Sequence, residues 1–290
     1  MALTVRRTLI TVAALTAAAA LAAPAAMAGT DHGATKDSGL GVTGLAGDKL
    51  VSFGTSAPGS VDVIGAVSGL EGDKYLVGID YRVQDGLLYG VGDGGGIYEV
   101  DDSDASASKI GRLSVDLDGE YFGVDFNPAA NALRVISDSG QNLRQPFATM
   151  PLADTVEDTA LTNPATAPAT GTVPATGVSA AGYTNNDLDD STATTLFVLD
   201  TELDRVSVQS PANDGTLAPT GSLPAEIGPE AGLDVYSTVV DGVTVANDAF
   251  AAVEVNGEKR LWAVDLLTGD ADDLGGLGAP VRAIAVGLDQ

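Results

Sequence analysis

The sequence predicts an all-β protein, a β-propeller of five four-stranded blades closed by pairing of its N- and C-terminal segments. Three observations predict it. Short runs alternate apolar and polar residues and are broken by Gly, Asp, Asn and Ser, with no helical apolar period among them. The runs recur as one repeated unit. The first and last units are incomplete in complementary ways, so that together they make one blade.

Residues 1–28 read as an export signal. Arg6 and Arg7 precede an apolar Ala/Leu/Val run that ends in Ala26-Met27-Ala28 before Gly29, the small-residue pattern of a cleavage site. An uncleaved anchor is the alternative, but the apolar run is short for one. The arginine pair also raises a twin-arginine route, which Val5 and Leu9 fit poorly. Residues 29–40 are small and polar and read as a flexible tail. The single propeller domain is expected over residues 41–290.

Within that domain one piece recurs as LVGIDYR (76–82), FGVDFNP (122–128), AAGYTNN (180–186), AGLDVYS (231–237) and RAIAVGL (282–288). This alignment places Asp80, Asp125, Tyr183, Asp234 and Ala285 at one position, and the small residues Gly78, Gly123, Ala181, Gly232 and Ala283 at another. Small residues belong where innermost strands converge on an axis and bulky ones would clash. A sandwich or solenoid would use the same alternation but gives no reason for five aligned small positions.

The outer strands follow. IYEVDDSDASASKIGRL (97–113) and LWAVDLLTGDADDLGGL (261–277) share a strand ending in Val-Asp, a polar turn, and a late Gly before Leu. LVSFGTSAPGSVDVIGAV (50–67) and VSVQSPANDGTLAPTGSL (206–223) keep the same plan. The first apolar residue stands 14 residues before the late glycine in Ile97–Gly111 and Leu261–Gly275, and 15 in Leu50–Gly65 and Val206–Gly221. Residues 41–70 supply the last three strands of a blade and Val281–Leu288 a first strand. Residues 149–177, rich in Thr, Ala and Pro, hide the expected fourth strand of their blade and read as an extended surface loop with no core of its own.

Composition narrows the chemistry. There is no cysteine, so neither disulfides nor thiolate ligands operate. Forty acidic residues against 14 basic give a formal net charge of −26, which disfavours nucleic acid and anionic membrane surfaces, and no membrane insertion is expected after signal cleavage. The one histidine, His32, lies in the tail, which argues against Ser-His-Asp and His-ligated zinc chemistry. GDGGG (92–96) suggests a phosphate loop but joins two strands without a following helix, so a hairpin turn accounts for it. Calcium is the one cofactor left open. Asp101, Asp102, Asp104 and the stretch NNDLDD (185–190) lack the loop pattern of a calcium site, and solvated turns account for them.

The sharper idea concerns the axis. If Asp80, Asp125 and Asp234 point one way, three carboxylates share one mouth of the channel and need a cation, a basic partner or raised pKa values. Arg82, Arg134 and Arg282 are the candidate partners. The alternative is structural: each Asp accepts backbone N–H groups of a neighbouring blade. Paired acids also raise glycoside cleavage, which needs two carboxyls about 5 to 10 Å apart.

The stretch from Tyr121 to Arg144, YFGVDFNPAANALRVISDSGQNLR, supplies an inner strand, the turn Asn127-Pro128, a second strand and the turn Asp138-Ser139-Gly140, but the repeat leaves Arg134, Gln141, Asn142 and Arg144 unexplained. This stretch, with GIDYRVQDGLLYGVGDGGGIYEVD, AAGYTNND and LWAVDLLTGDADDLG, resembles the bacterial domain of unknown function 4394 (DUF4394) family over about residues 41–290. The resemblance implies an exported, propeller-like protein with no assigned cofactor or catalytic residues. The family's acidic residue before Leu-Arg is absent here, where Asn131-Ala132 precede Leu133. The function expected is that of a monomeric, non-catalytic binding or interaction module for an extracellular protein, a glycan or a small polar ligand. Its candidate ligand residues are Asp80, Asp125, Asn127, Arg134, Asn142, Arg144, Tyr183, Asn185 and Asp234. An extracellular hydrolase or lyase acting on polysaccharide is the alternative.

Overall fold

The computed structural model describes residues 39–189 and 191–288. The expected signal, nearly all of the tail and His32 lie outside the described residues. Strands β1 (Gly41–Ala46), β2 (Lys49–Gly54) and β3 (Ala57–Ala66) open the chain. One blade then follows as β4 (Leu76–Arg82), β5 (Leu87–Gly92), β6 (Gly96–Val100) and β7 (Ala107–Arg112). The next comprises β8 (Phe122–Asn127), β9 (Ala132–Ser137), β10 (Asn142–Pro146) and β11 (Val156–Glu157). A small hairpin, β12 (Thr162–Pro164) and β13 (Thr172–Pro174), stands between blades. The third blade is β14 (Val178–Tyr183), β15 (Leu196–Asp200), β16 (Arg205–Gln209) and β17 (Leu217–Ser222). The fourth is β18 (Gly232–Val240), β19 (Val243–Val255), β20 (Glu258–Val264) and β21 (Ala271–Gly276), and β22 (Val281–Val286) ends the chain.

The fifth sheet runs β22-β1-β2-β3, so the last strand is the inner strand of a blade whose other three begin the domain. Val42 faces Val286 and Leu45 faces Ala283 across this closure. Around the axis β4 packs on β8, β8 on β14, β14 on β18, β18 on β22, and β22 back on β4. That cycle makes the molecule a five-bladed β-propeller.

Packing follows from the two-residue period of each strand, which puts one apolar row on each face of a blade. Five buried clusters result, one between each pair of adjacent blades. The cluster between the β4 and β8 blades holds three rings, Tyr89, Phe126 and Phe147, in edge-to-face contact at 4.8–5.5 Å. Tight turns use the expected chemistry: Asn256-Gly257 and Asp241-Gly242 both take positive φ at both residues, which matches the twist of the strands they join.

Residues 149–177 differ from the expected coreless loop. They contain β11, the fourth strand of its blade, and the β12–β13 hairpin. Leu161 and Ala175 are buried in the cluster between the second and third blades. Backbone bonds from Leu161 to Gly140 (2.9 Å) and from Thr162 to Gly215 (2.8 Å) fix the segment to both blades. Strands of two or three residues cannot display an alternation, which is why the sequence hides them.

Candidate functional site

The inner strands approach so closely that small residues are obligatory at several points. A Cβ on Gly123 would stand 2.7 Å from the backbone nitrogen of Ala181, and one on Gly232 2.9 Å from the Cα of Ala283. Below that packing, Asp80, Asp125 and Asp234 converge: each offers a carboxylate oxygen, and the three lie within 4.8 Å of one another, all buried. Each also accepts a backbone N–H from the next inner strand: Phe126 to Asp80 at 2.7 Å, Tyr183 to Asp125 at 2.9 Å, and Val286 to Asp234 at 2.5 Å. Asp80 and Asp234 use their second oxygens on Tyr81 and Val235 of their own strands, at 2.7 and 2.6 Å. The carboxylates thus tie neighbouring blades at the axis.

Burial, then the charge of Asp234, pushes the Asp80 carboxyl well above the usual range. Burial, then the charges of Asp80 and Asp234, does the same to Asp125. Asp234 is pushed up to about 6 by burial, against the lowering effect of its two backbone donors. Each carboxyl of the triad therefore keeps its proton to higher pH than a free Asp, and the triad is the one place among the described residues where three such ligands could meet a metal ion.

The expected arginine partners do not reach it. Arg82 pairs with Asp85 and donates to Asn131 at 2.9 Å. Arg282 donates to the carbonyls of Gly47 and Leu76, at 3.0 and 2.6 Å. Arg134 sits opposite Asp125 in register but reaches outward, to Asp158 at 2.8 Å, Asn142 at 2.7 Å and Asn213 at 2.7 Å. Asn142 in turn donates to the carbonyls of Thr159 and Ala212, while Arg144 grips Asp158 from its exposed side. Arg134, Asn142 and Arg144 thus form a buried polar clasp between the second and third blades, and Gln141 pins the loop at Asp116 and Asp118.

Asn127 caps its own turn by accepting from Ala130 at 2.8 Å. Asn185, at a positive φ of 65°, exchanges bonds with Asn247. Tyr183 is a correction to the aligned repeat. Its N–H takes the place that Phe126 and Val286 take, each one residue past the axial position, so Gly182 is the true counterpart of the aspartates. The third inner strand is thus one residue out of step with the aligned repeat, and a one-residue slip turns the side chain to the opposite face. The Tyr183 hydroxyl accordingly points back to Arg134, 3.4 Å from its Nε. The nine candidates therefore fall into an axial triad, an interblade clasp and two turns.

Of the calcium candidates, Asp101 and Asp104 serve turns, as does the glycine loop, while Asp102 accepts from the Tyr81 hydroxyl, Asp187 accepts from the Thr244 N–H, and Asp190 lies outside the described residues. Asp101 accepts from Ser103 and Asp104 from Ser106. GDGGG joins β5 to β6, with the N–H groups of Gly94 and Gly96 given to Asp73. A carboxylate thus holds the amides that a phosphate would need.

At the opposite end of the axis, where the inner strands begin, the ring opens into a cavity of about 400 Å³. Tyr75, Tyr121 and Phe122 line it together with Lys74, Glu120, Glu230 and Arg282. The Arg282 guanidinium lies over the Tyr75 ring at 5.5 Å, and burial lowers its pKa. Glu230 is paired with Lys259 at 3.2 Å. Beyond the mouth the axis narrows to about 10 Å³ between Gly78, Gly123, Ala181, Gly232 and Ala283. The sequence reading missed this mouth apart from Arg282. The available signal was position: its residues stand at or just ahead of the starts of the recurring inner strands.

A family model described as a domain of unknown function, DUF4394, matches residues 49–285. The chain belongs to the DUF4394 family. No protein of curated function matches it in sequence. Among solved structures, this DUF4394 chain is similar to an auxiliary nutrient binding protein from Bacteroides ovatus ATCC 8483, at 10% identity, 77% of this chain, 56% of that one and a TM-score of 0.41. It is also similar to a structural genomics protein of unknown function from Bacteroides thetaiotaomicron VPI-5482, at 12% identity, 87% and 67% coverage and a TM-score of 0.45. A second auxiliary nutrient binding protein, from Bacteroides thetaiotaomicron VPI-5482, gives 11% identity, 79% and 57% coverage and a TM-score of 0.39. The DUF4394 chain spans a little over half the length of the two nutrient binding structures.

Proposed function

We propose that this chain is an exported, non-catalytic binding module whose ligand sits in the mouth at the N-terminal ends of the inner strands. One observation carries the reading: the ring is open there to about 400 Å³, a volume in the range of small-molecule sites. The polar groups first expected to bind a ligand are engaged elsewhere, in bonds between blades and within turns. Export rests on the signal pattern of residues 1–28. One ring holds the whole mouth, so the module works as a monomer.

The test is titration calorimetry with a library of small polar compounds against the protein and its Tyr121→Ala and Glu120→Gln variants. Binding is expected to weaken in both variants while their melting temperatures stay close to that of the parent. Binding untouched by both substitutions would move the site away from the mouth. Release of product from a polysaccharide would replace this reading with a hydrolase or lyase.

A further inference from the structure

The chemistry of the mouth narrows its ligand. Its wall combines partly exposed aromatic rings, Tyr121 and Phe122, with donor-only groups, Lys74 and Arg282, and acceptor-only groups, Glu120 and Glu230. An anion would meet the carboxylates of the mouth and a chain of net charge −26. A cation would meet Lys74 and Arg282 on the same wall. A wholly apolar ligand would strip water from these charges without replacing it.

A neutral ligand with one apolar face and many hydroxyls meets all of these conditions. Each hydroxyl both donates and accepts, so it can bridge a carboxylate and a guanidinium, while C–H groups lie on a ring face. Arg282 is held for this role by the Tyr75 ring beneath it and by the carbonyls of Gly47 and Leu76. Glu120 is exposed at the rim, next to Tyr121 on the same wall. The floor is closed. About 10 Å³ remains along the axis below, room for roughly one water. Nothing larger can thread the ring.

Resting on the proposed mouth, we infer that the site takes a neutral carbohydrate, as a single residue or the end of a chain, stacked on Tyr121 and hydrogen-bonded by Arg282 and Glu120. The experiment is saturation-transfer NMR and calorimetry on the full chain with neutral methyl glycosides and disaccharides. Galacturonate, glucosamine and free amino acids serve as charged comparators.

At least one neutral sugar is expected to bind more tightly than every charged comparator. Tyr121→Ala should weaken that sugar about tenfold or more, and Glu120→Gln less, with the melting temperature of each variant recorded to establish folding. If a charged comparator binds best and Tyr121→Ala abolishes it, the carbohydrate assignment is overturned while the mouth remains the site. If a neutral sugar binds but neither substitution alters its affinity, the assignment and the mouth both fail. No binding by any compound of either set also overturns the assignment.

Discussion

Asp125 shows how one side chain can both build and burden a fold. Its Oδ1 bonds the Tyr183 N–H, yet burial and two neighbouring acids oppose its ionisation. The folded-state pKa values of Asp80, Asp125 and Asp234 all lie above that of an unfolded Asp, about 3.9, and Asp234 reaches about 6. The folded triad therefore binds more protons than the unfolded chain in the interval between. Its contribution is fully present below about pH 4 and is lost as pH rises through the folded values. Asp125→Asn keeps the acceptor for Tyr183 and removes one buried titratable carboxyl from the triad. It is expected to raise stability at pH 7 by about 1 kcal/mol and to flatten the fall in melting temperature between about pH 5 and 7 relative to the parent. A variant as steeply pH-dependent as the parent would remove the triad as the cause. Arg134 is the converse case, since four polar side chains depend on its guanidinium. Arg134→Met leaves Asp158 to Arg144 alone and Asn213 without its guanidinium donor, and should cost about 1–3 kcal/mol in denaturant titration.

At the scale of the element, inner strands are set by what they must not carry. Gly123→Ala would drive a methyl into the backbone at Ala180 and Ala181, and the cost expected is about 1–3 kcal/mol. Gly54→Ala in β2 meets nothing nearer than 3.9 Å and should be close to neutral. Equal effects in thermal melts would contradict axial crowding as the reason for these glycines. β22 has a different role, because it lies between β1 and two neighbouring inner strands. Deleting residues 281–290 leaves β1 with an unpaired edge and breaks the ring. Loss of a cooperative melt and rapid proteolysis are expected, and a cooperative melt near that of the full chain would show that closure is dispensable.

The molecule as a whole is dominated by its acid, 40 residues against 14 basic ones. Self-repulsion of this size destabilises the compact state, and salt screens it over a length of about 10 Å at 0.1 M and about 3 Å at 1 M. The melting temperature is therefore expected to rise with sodium chloride. A flat or falling response would indicate that the acids are compensated locally, as Asp158 is by Arg134 and Arg144. The carboxyls at the axis, by contrast, are buried and stand apart from this charged exterior.

The sequence by itself determined the propeller, its five inner strands and its closure, because strand period, turn residues and unit spacing are local properties that recur along the chain. It also singled out Asp80, Asp125 and Asp234 as a group, since three units repeat them in phase. Tertiary structure decided the rest. Tyr183 stands one residue past the axial position and so on the opposite face, and AAGYTNN carries no aspartate to mark where that position falls. Arg134 looked like an axial partner until Asp158 and Asn213, far away in the chain, drew its guanidinium outward. The mouth was hidden for the same reason: Tyr75, Tyr121, Glu230 and Arg282 come from four different blades, and only closing the ring brings them around one cavity.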